Sequence, residues 1–590
     1  MSSVQVVLAV VKALFLVLLL ATMAAVATWT ERRQSAMVQD RVGPNRAVVY
    51  LPNLLARALV FAPALLLGGL AIYTFVQDVR GPAAVERVTL AIELSVLVGW
   101  FSLLLLCGHA RKTGPINGAE ERLVAIEPRA IFYMGLALHA VGFVVARMIP
   151  IASLPTAAMA AGILLGVLIF SAGFYAASRV PDGKVGLRAF GLLHTAADGL
   201  KLVWKEDFIP KKADRLLHSL APFLALFPAL VTLAVLPFGD TLCFQEANRN
   251  GTFDWADLGR MAPALGPEGV CPAGYAVKLQ VADLNVGILY LFAMAGTGVI
   301  GAALAGWASD NKFALLGGLR AAGQMVSYEV AMGLSLVGLF MVCGTVRLSS
   351  MAEWQSANAW GIFVQPVAFF LFLAALAAET KRVPFDQPEG ESEIVAGYYL
   401  EYSGMKFGMF FLGEYIELVT SSAILVTLFF GSYNLPFLHP DGITVAFGDT
   451  TLFQFKMTHF AVSVIQVLTF LGKTAFMIWL QIFFRWTLPR FRYDQVMKLG
   501  WTKLLPLAIA NMMVTGIILL AVDSAGPGTA AALKVVADVT QAIVALGMLA
   551  GMVALIAGLL EPVERQRFLK SSSARFAAAA GGVKSTPQQA

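Results

Sequence analysis

Long apolar segments, one after another, restrict what this chain can fold into more than any other feature. About thirteen of them are long enough to cross a bilayer as a helix, which needs about 20 residues. Of the 590 residues 58% are hydrophobic and 14% are charged, so little length remains for a soluble domain. The runs lie near residues 11–29, 54–75, 89–107, 130–148, 156–177, 218–237, 284–306, 325–343, 361–378, 405–430, 457–484, 502–522 and 536–560. We therefore predict an all-α, polytopic membrane helix bundle.

Basic residues indicate how these spans are oriented. Arg32 and Arg33 directly follow the first run, and basic flanks mark the cytoplasmic side of a membrane protein. We expect an uncleaved first helix, a periplasmic N-terminus and a cytoplasmic C-terminus in a bacterial inner membrane. Residues 188–217 interrupt the series because apolar side chains alternate with Asp198 and Lys201. That pattern predicts an amphipathic helix lying in the membrane interface.

Cysteine and histidine are too sparse to predict a cofactor. The chain has four cysteines, none in a CxxC pair, and six histidines, so no iron–sulfur, zinc or haem pattern is present. We expect no bound metal, flavin or iron–sulfur cluster, and electrons held by partner subunits or a diffusible carrier. Cys243 and Cys271 share one outside loop, 238–283. An oxidising compartment would permit a disulfide there, although two unpaired thiols fit equally well.

One short segment collects an unusual number of carboxylates. The stretch "ETKRVPFDQPEGESEIVAGYYLEYSGMK", residues 379–406, lies between two apolar runs. Charge runs are usually solvated loops. Here, however, Pro384 and Pro388 stiffen the segment, and apolar and aromatic side chains alternate with the acids. The acids are Glu379, Asp386, Glu389, Glu391, Glu393 and Glu401.

Further ionisable residues lie inside the apolar runs themselves. Glu329 and Glu414 do so, and Glu417 shares a helical face with Glu414. Burial of a charge in the bilayer is costly, so such residues usually face inward and have a function. Clustered carboxylates cannot all ionise, and they can hold or pass protons. The pattern therefore favours a proton path, and Lys473 either joins it, pairs with an acid, or is a snorkelling side chain.

Five stretches together resemble the NuoH family, a membrane subunit of respiratory NADH-quinone oxidoreductase (complex I) that is equivalent to mitochondrial subunit 1. The most specific is "ETKRVPFDQPEGESEIVAGYYLEYSGMKFGMFFLGEY". The others follow the family's order: "QDRVGPNRA", "GLLHTAADGLKLVWKEDFIP", "AGWASDNKFALLGGLRAAGQMVSYE" and "RWTLPRFRYDQVMKLGWTK". The chain departs from the family at His194 and Thr195, where the family usually has Gln and Pro.

The resemblance implies a membrane-arm quinone-site subunit that is not catalytic alone. Quinone would be the substrate, and the partners would be peripheral-arm iron–sulfur and quinone-site subunits and small membrane-arm subunits. The implied quinone chamber and coupling loop comprise Arg41, Asp198, Arg320, Arg382, Asp386, Glu389, Glu391, Glu393 and Glu401. The implied glutamate path comprises Glu379, Glu329 and Glu414, to which the sequence adds Lys473.

The larger departure from the family is an insertion. It gives four predicted regions: 1–46, the first core span and its loop; 47–188, an inserted four-helix membrane segment; 189–562, the core; and 563–590, a disordered cytoplasmic tail. An even number of inserted spans preserves the orientation of about nine core spans. The insertion either shapes quinone access or is a peripheral brace, and the brace is favoured because most extra helices only pack.

Two other functions remain open from the sequence. Nickel–iron hydrogenase and formate hydrogenlyase complexes contain relatives of this family without a classical quinone site, but the full "VPFDQPEGESEIVAGYYLEYSG" favours the quinone enzyme. A freestanding ion transporter would also contain intramembrane acids. The amphipathic segment and the basic loops, which suit docking to partners, argue against a transporter.

Overall fold

The structure is a computed structural model of the chain. It describes residues 3–39, 44, 49–52, 184–187, 191–245, 271, 274–390, 397–439, 442–447, 450–456, 459–524, 539–547 and 550–551, and isolated positions between 54 and 69. The predicted spans at 89–107, 130–148 and 156–177 lie outside the described residues, as does most of the span at 54–75. The tail from 563 also lies outside them.

Helices dominate the described part of the chain. We number them α1 to α12 in chain order: Ser3–Val38, Leu193–Trp204, Arg215–Thr232, Gly287–Ala308, Lys312–Cys343, Leu348–Ala357, Gly361–Val364, Pro366–Glu379, Gly404–Phe429, His459–Thr487, Tyr493–Leu499 and Leu505–Ser524. A π-helical turn, Gly500–Leu504, joins α11 to α12. Seven helical stretches of the described residues are long and apolar enough to span a membrane, and α8 is a shorter apolar helix. The prediction of an all-α polytopic membrane bundle is confirmed.

Local chemistry fixes several helix ends. The Asp214 carboxylate accepts hydrogen bonds from the backbone N–H groups of Leu216 and Leu217 in α3, at 3.0 and 3.1 Å. Asn311 caps α5 in the same way, and Gly344 ends α5 in the left-handed conformation (φ 66°) that favours glycine. Because of the Asn311 cap, α5 begins well before the apolar run predicted at 325–343. Residues 312–324, which the sequence assigned to a cytoplasmic loop, are helical.

Two compact units divide the chain, and we describe each by itself. The first comprises Met1–Val38 and Thr195–Leu549. Its hydrophobic core includes residues of α1, α4, α5, α8, α9 and α10. Helix α5 packs against α4, α8 and α12, and α9 packs against α3, α10 and α1.

The two ends of this helical unit differ. The loop end carries the acidic loop, residues 380–403, between α8 and α9. The disulfide end carries the bond between Cys243 and Cys271, whose Cα atoms are 5.4 Å apart. Strands β3 (Thr241–Gln245) and β4 (Gly274–Lys278) pair antiparallel there. Strands β5 (Leu438–His439), β6 (Gly442–Phe447) and β7 (Thr450–Lys456) form an antiparallel sheet between α9 and α10.

The second unit comprises Gln39–His194 and Ala550–Ala590. Its described strands, β1 (Val49–Pro52) and β2 (Lys184–Leu187), pair antiparallel with Val49 opposite Leu187. The Pro44 carbonyl lies against Gly191, whose φ of 92° and lack of a Cβ permit this approach. The described residues nearest to the two boundaries of the predicted insertion are thus close neighbours. The division into four regions stays a prediction.

Candidate functional site

A buried cluster of charges lies where four segments meet at the loop end. Arg382 of the acidic loop bonds Glu31 of α1 at 3.1 Å and Glu414 of α9 at 3.0 Å. Arg485 of α10 reaches the same carboxylates, at 2.8 Å from Glu31 and 3.5 Å from Glu414. The Tyr415 hydroxyl donates to Glu31 at 2.9 Å, and its ring lies 4.7 Å from the Arg382 guanidinium carbon. Two cations thus balance two carboxylates.

Burial makes this balance necessary. The Arg382 side chain is only 3% exposed, and removing a charge from water is costly unless partners compensate. Burial alone would lower the pKa of Arg382, but the nearby Glu414 and Glu31 carboxylates raise it above its ordinary value. The guanidinium is therefore a permanent charge that joins the acidic loop to α1 and α9.

A second group of charges adjoins the first one. The Lys381 ammonium lies 3.2 Å from Glu417 of α9 and 4.0 Å from Glu389. The Tyr398 hydroxyl donates to Glu389 at 3.1 Å. Burial, reinforced by the negative charge of Glu414, raises the pKa of Glu389 to about 8, although Lys381 opposes the shift. Glu389 is thus mostly protonated at neutral pH and can release a proton when a nearby charge changes.

The acidic loop is anchored to the segment that follows α10. Arg490 bonds Asp386 at 2.6 Å. The Gln387 amide donates to the Phe491 carbonyl at 2.6 Å, and the Phe491 N–H donates to the Pro384 carbonyl at 3.1 Å. These bonds hold the part of the loop that carries Lys381 and Arg382.

Helix α5 supports the same loop from another side. The Gln324 amide, fully buried, donates to the carbonyls of Ala378 and Phe385, both at 2.8 Å. A Cβ added to Gly317 would lie 2.6 Å from the Gly397 carbonyl carbon, so only glycine permits this contact. The loop is therefore a fixed part of the bundle where the structure describes it.

A cavity of about 80 Å³ begins beside this site and extends between α3, α4, α5, α8 and α9. On this measure one water needs about 10–15 Å³, so the space holds several waters. Glu379 and Glu417 line it, and one Glu379 carboxylate oxygen is buried without a hydrogen-bond partner among the described residues. Glu329 is close by, since a Cβ on Gly296 would be 3.4 Å from its carboxylate. The other polar lining residues are Thr232, Thr380, Thr420 and Ser421.

The structure thus brings Arg382, Glu389 and Glu414 together, with Glu379 and Glu329 beside the cavity. Other residues assigned from the resemblance lie apart, some with partners of their own. Glu401 accepts a hydrogen bond from the Asn311 amide at 2.6 Å, and Asp198 of α2 pairs with Arg32 at 2.5 Å. Arg320 is half-buried on α5. Arg41, Glu391 and Glu393 lie outside the described residues.

Lys473 does not join the carboxylates. It lies in α10, and its ammonium donates to the carbonyls of Phe430, Ser432 and Asn434 beyond the C-terminal end of α9. Glu414 and Glu417 lie in the first half of α9, so Lys473 is on the opposite side of the bundle. Its assignment to the proton path stays a prediction.

Sequence reasoning misses two residues of the charge cluster. Arg485 reads in the sequence as one of many cytoplasmic basic residues. The one local indication for Glu31 is an acid placed inside the basic segment "TERRQ". Its partner Arg382 is 351 residues away, so the pairing could not be inferred from spacing.

Metal binding has no support in the described ranges: they contain no group of three His, Cys, Asp or Glu side chains that could hold an ion. The site instead consists of ion pairs and protonatable carboxyls beside an internal cavity. Together with the helical bundle, it defines a polytopic membrane subunit with an intramembrane charge network.

Comparison with known proteins identifies the family. The sequence model of the NADH dehydrogenase family matches residues 175–516. A NuoH-type chain of NADH-quinone oxidoreductase from Geobacter metallireducens is 44% identical over 342 residues, 58% of this chain and 87% of the relative. Its counterpart from Flavobacterium psychrophilum is 43% identical over 333 residues, covering 56% and 84%. The chain belongs to the NADH dehydrogenase family, which confirms the resemblance to NuoH.

Proposed function

We propose that this chain is the membrane-arm quinone-site subunit of a proton-translocating NADH-quinone oxidoreductase. The observation that supports this best is the charge cluster of Glu31, Arg382, Glu414 and Arg485 beside a carboxylate-lined cavity. The subunit binds quinone together with peripheral-arm subunits that supply the electrons. It couples quinone reduction to proton movement and catalyses nothing alone. The loop end faces the cytoplasm of a bacterial inner membrane.

Quinone reaches the loop end between α1, α2 and α9. Several contacts support this assignment. Arg32 of α1 pairs with Asp198 of α2, and Leu202 of α2 packs over Gly408 of α9, where an added Cβ would be 3.2 Å from the leucine. The exposed side chain of Trp204 on α2 suits a membrane interface. The three elements thus adjoin one another beside the acidic loop.

Protons move between the acidic loop and the cavity. Reduction of quinone changes the local charge, which shifts the protonation of Glu389 and of its sequence neighbours Glu391 and Glu393. The Lys381 contacts to Glu389 and Glu417 connect the loop to the cavity wall. From there the path continues through Glu379, Glu329 and Glu414.

Proton pumping per NADH tests this function. Glu379→Gln in the assembled complex should lower the number of protons moved per NADH, because the amide cannot carry a proton. Glu329→Gln and Glu391→Gln should do the same. Glu353→Gln is the matched control, since Glu353 is an exposed glutamate of α6 at the disulfide end. Full pumping in all three site variants would refute the proton path.

Partners that co-purify in mild detergent test the assignment to this enzyme. Flavin and iron–sulfur subunits, together with antiporter-like membrane subunits, are expected by mass spectrometry. Nickel–iron subunits would assign the chain to a hydrogenase complex. Recovery of the chain alone, with ion flux in liposomes, would make it a transporter.

Residues 47–188 act as a peripheral brace against lipid or a partner. Deleting 48–187 should leave the Michaelis constant for quinone unchanged, because the described residues near both ends of the segment are already neighbours. A raised Michaelis constant in an assembled complex would instead assign the insertion to quinone access.

A further inference from the structure

The Lys473 ammonium is bound by backbone oxygens alone. It donates to the carbonyls of Phe430 at 2.7 Å, Ser432 at 3.1 Å and Asn434 at 2.6 Å. An ammonium has three N–H donors and no acceptor, so this geometry satisfies the charged form completely. The Trp360 ring lies 4.3 Å from the nitrogen and adds a cation–π contact. Lys473 is therefore a fixed positive charge without a neutralising carboxylate among these contacts.

Buried side chains build the turn that supplies these carbonyls. Gln355 accepts from the Gly431 N–H at 3.0 Å, and its amide donates to the Thr427 carbonyl at 2.9 Å. The Asn434 amide donates to the Ala352 carbonyl at 2.7 Å. Gln355 and Asn434 are both buried, so the charge is held rigidly at the end of α9.

The cavity of the proposed proton path points toward this charge. Its carboxylates, Glu379 and Glu417, lie on the side of the loop end. Along α9 the lining continues to Leu428, about 16 Å further on at about 1.5 Å per residue. There the wall is apolar apart from Thr232, whose hydroxyl is bonded to the Ala229 carbonyl of its own helix. The Phe430 carbonyl that binds Lys473 is two residues beyond Leu428.

We propose that Lys473 is a proton barrier: its fixed charge closes the disulfide end of the cavity against protons. An apolar wall excludes water most of the time, but transient water chains can conduct protons. A positive charge beyond the wall raises the energy of an approaching proton, as fixed cations do in pores that exclude protons. This inference rests on the proposed function, since it assigns a closed end to the cavity that carries protons.

Passive proton leak in proteoliposomes tests the barrier without turnover. The assembled complex is reconstituted without NADH, a potassium–valinomycin potential is imposed, and internal pyranine reports proton entry. Lys473→Met should raise the leak on the order of tenfold or more, because the electrostatic barrier is lost. Lys473→Arg keeps the charge and should stay tight. Trp360→Leu removes only the ring and should also stay tight.

A Lys473→Met complex that assembles and remains as tight as the unmodified one overturns the barrier. Should it fail to assemble, Leu428→Asp and Leu428→Asn decide instead. The aspartate places a negative charge between cavity and ammonium and should leak, whereas the asparagine, of similar size, should not. Equal leaks would overturn the proposal. Glu379→Gln separates the two proposals: unimpaired pumping removes the proton path, while impaired pumping with a tight Lys473→Met removes only the barrier.

Discussion

The two ends of the helical unit handle buried charge in opposite ways. At the loop end, Arg382 and Arg485 share Glu31 and Glu414, so side-chain charges compensate one another. At the disulfide end, Lys473 binds backbone carbonyls only. A network of titratable groups can change its protonation when charge changes nearby. A cation held by carbonyl dipoles cannot pass its charge on, so it remains fixed.

This contrast matches how the two ends are built. The loop end consists of the acidic loop held by side-chain contacts, such as Arg490 to Asp386. The disulfide end is tied by a covalent bond between Cys243 and Cys271 and by paired strands. We therefore expect substitutions at the loop end to alter coupling and those at the disulfide end to alter stability.

The largest effect is expected from Arg382→Met. It leaves Glu31 and Glu414 buried with only Arg485 as a cation, and breaking a buried ion pair costs about 3–5 kcal/mol. The complex should assemble poorly, and the midpoint of its thermal unfolding should fall. Native gel electrophoresis and calorimetry of the purified complex measure both.

Arg382→Lys is the matched variant for this prediction. Lysine keeps the charge but lacks the planar fork that reaches two carboxylates at once, so only part of the loss should recover. If Arg382→Met assembled with unchanged thermal stability, the charge cluster would not hold the loop end together.

Loss of the disulfide should follow in size. The bond closes a separation of 28 residues, for which chain entropy gives roughly 3–4 kcal/mol. Replacing Cys243 and Cys271 together by serine should lower the unfolding midpoint while leaving the protons pumped per NADH unchanged. Cys343→Ser is the control, because that thiol is free. A change in pumping ratio would contradict the proposed division between the ends.

Glu389 should give a smaller, pH-dependent effect. Its pKa in the folded protein is about 8, well above the ordinary value of a carboxyl, so the folded state binds the proton more tightly. Its contribution to stability is therefore present below the unfolded pKa and is lost as pH rises toward about 8. Glu389→Gln should flatten the fall in the unfolding midpoint over that range. An identical pH profile in the variant would mean that Glu389 is already ionised at neutral pH.

Local sequence patterns carry most of the fold but only part of the site. Apolar runs predict the spanning helices, because burial in lipid requires self-satisfied backbones. They do not predict the start of α5, since residues 312–324 lack the apolar density of a span. Glu329 and Glu414 stand out as acids within apolar runs. Glu31 and Arg485 do not, because their importance arises from contacts that only the tertiary structure creates.

The smallest effect is expected at the exposed pair of Arg32 and Asp198, which lies next to Glu31 in the chain. Both side chains are more than 40% exposed, and such pairs contribute about 0–1 kcal/mol. Asp198→Asn should hardly move the unfolding midpoint, in contrast to Arg382→Met. Because the pair joins α1 to α2 beside the proposed quinone entrance, the same variant should raise the Michaelis constant for quinone. Unchanged quinone kinetics would separate this pair from the entrance and limit the functional part of the loop end to its buried charges.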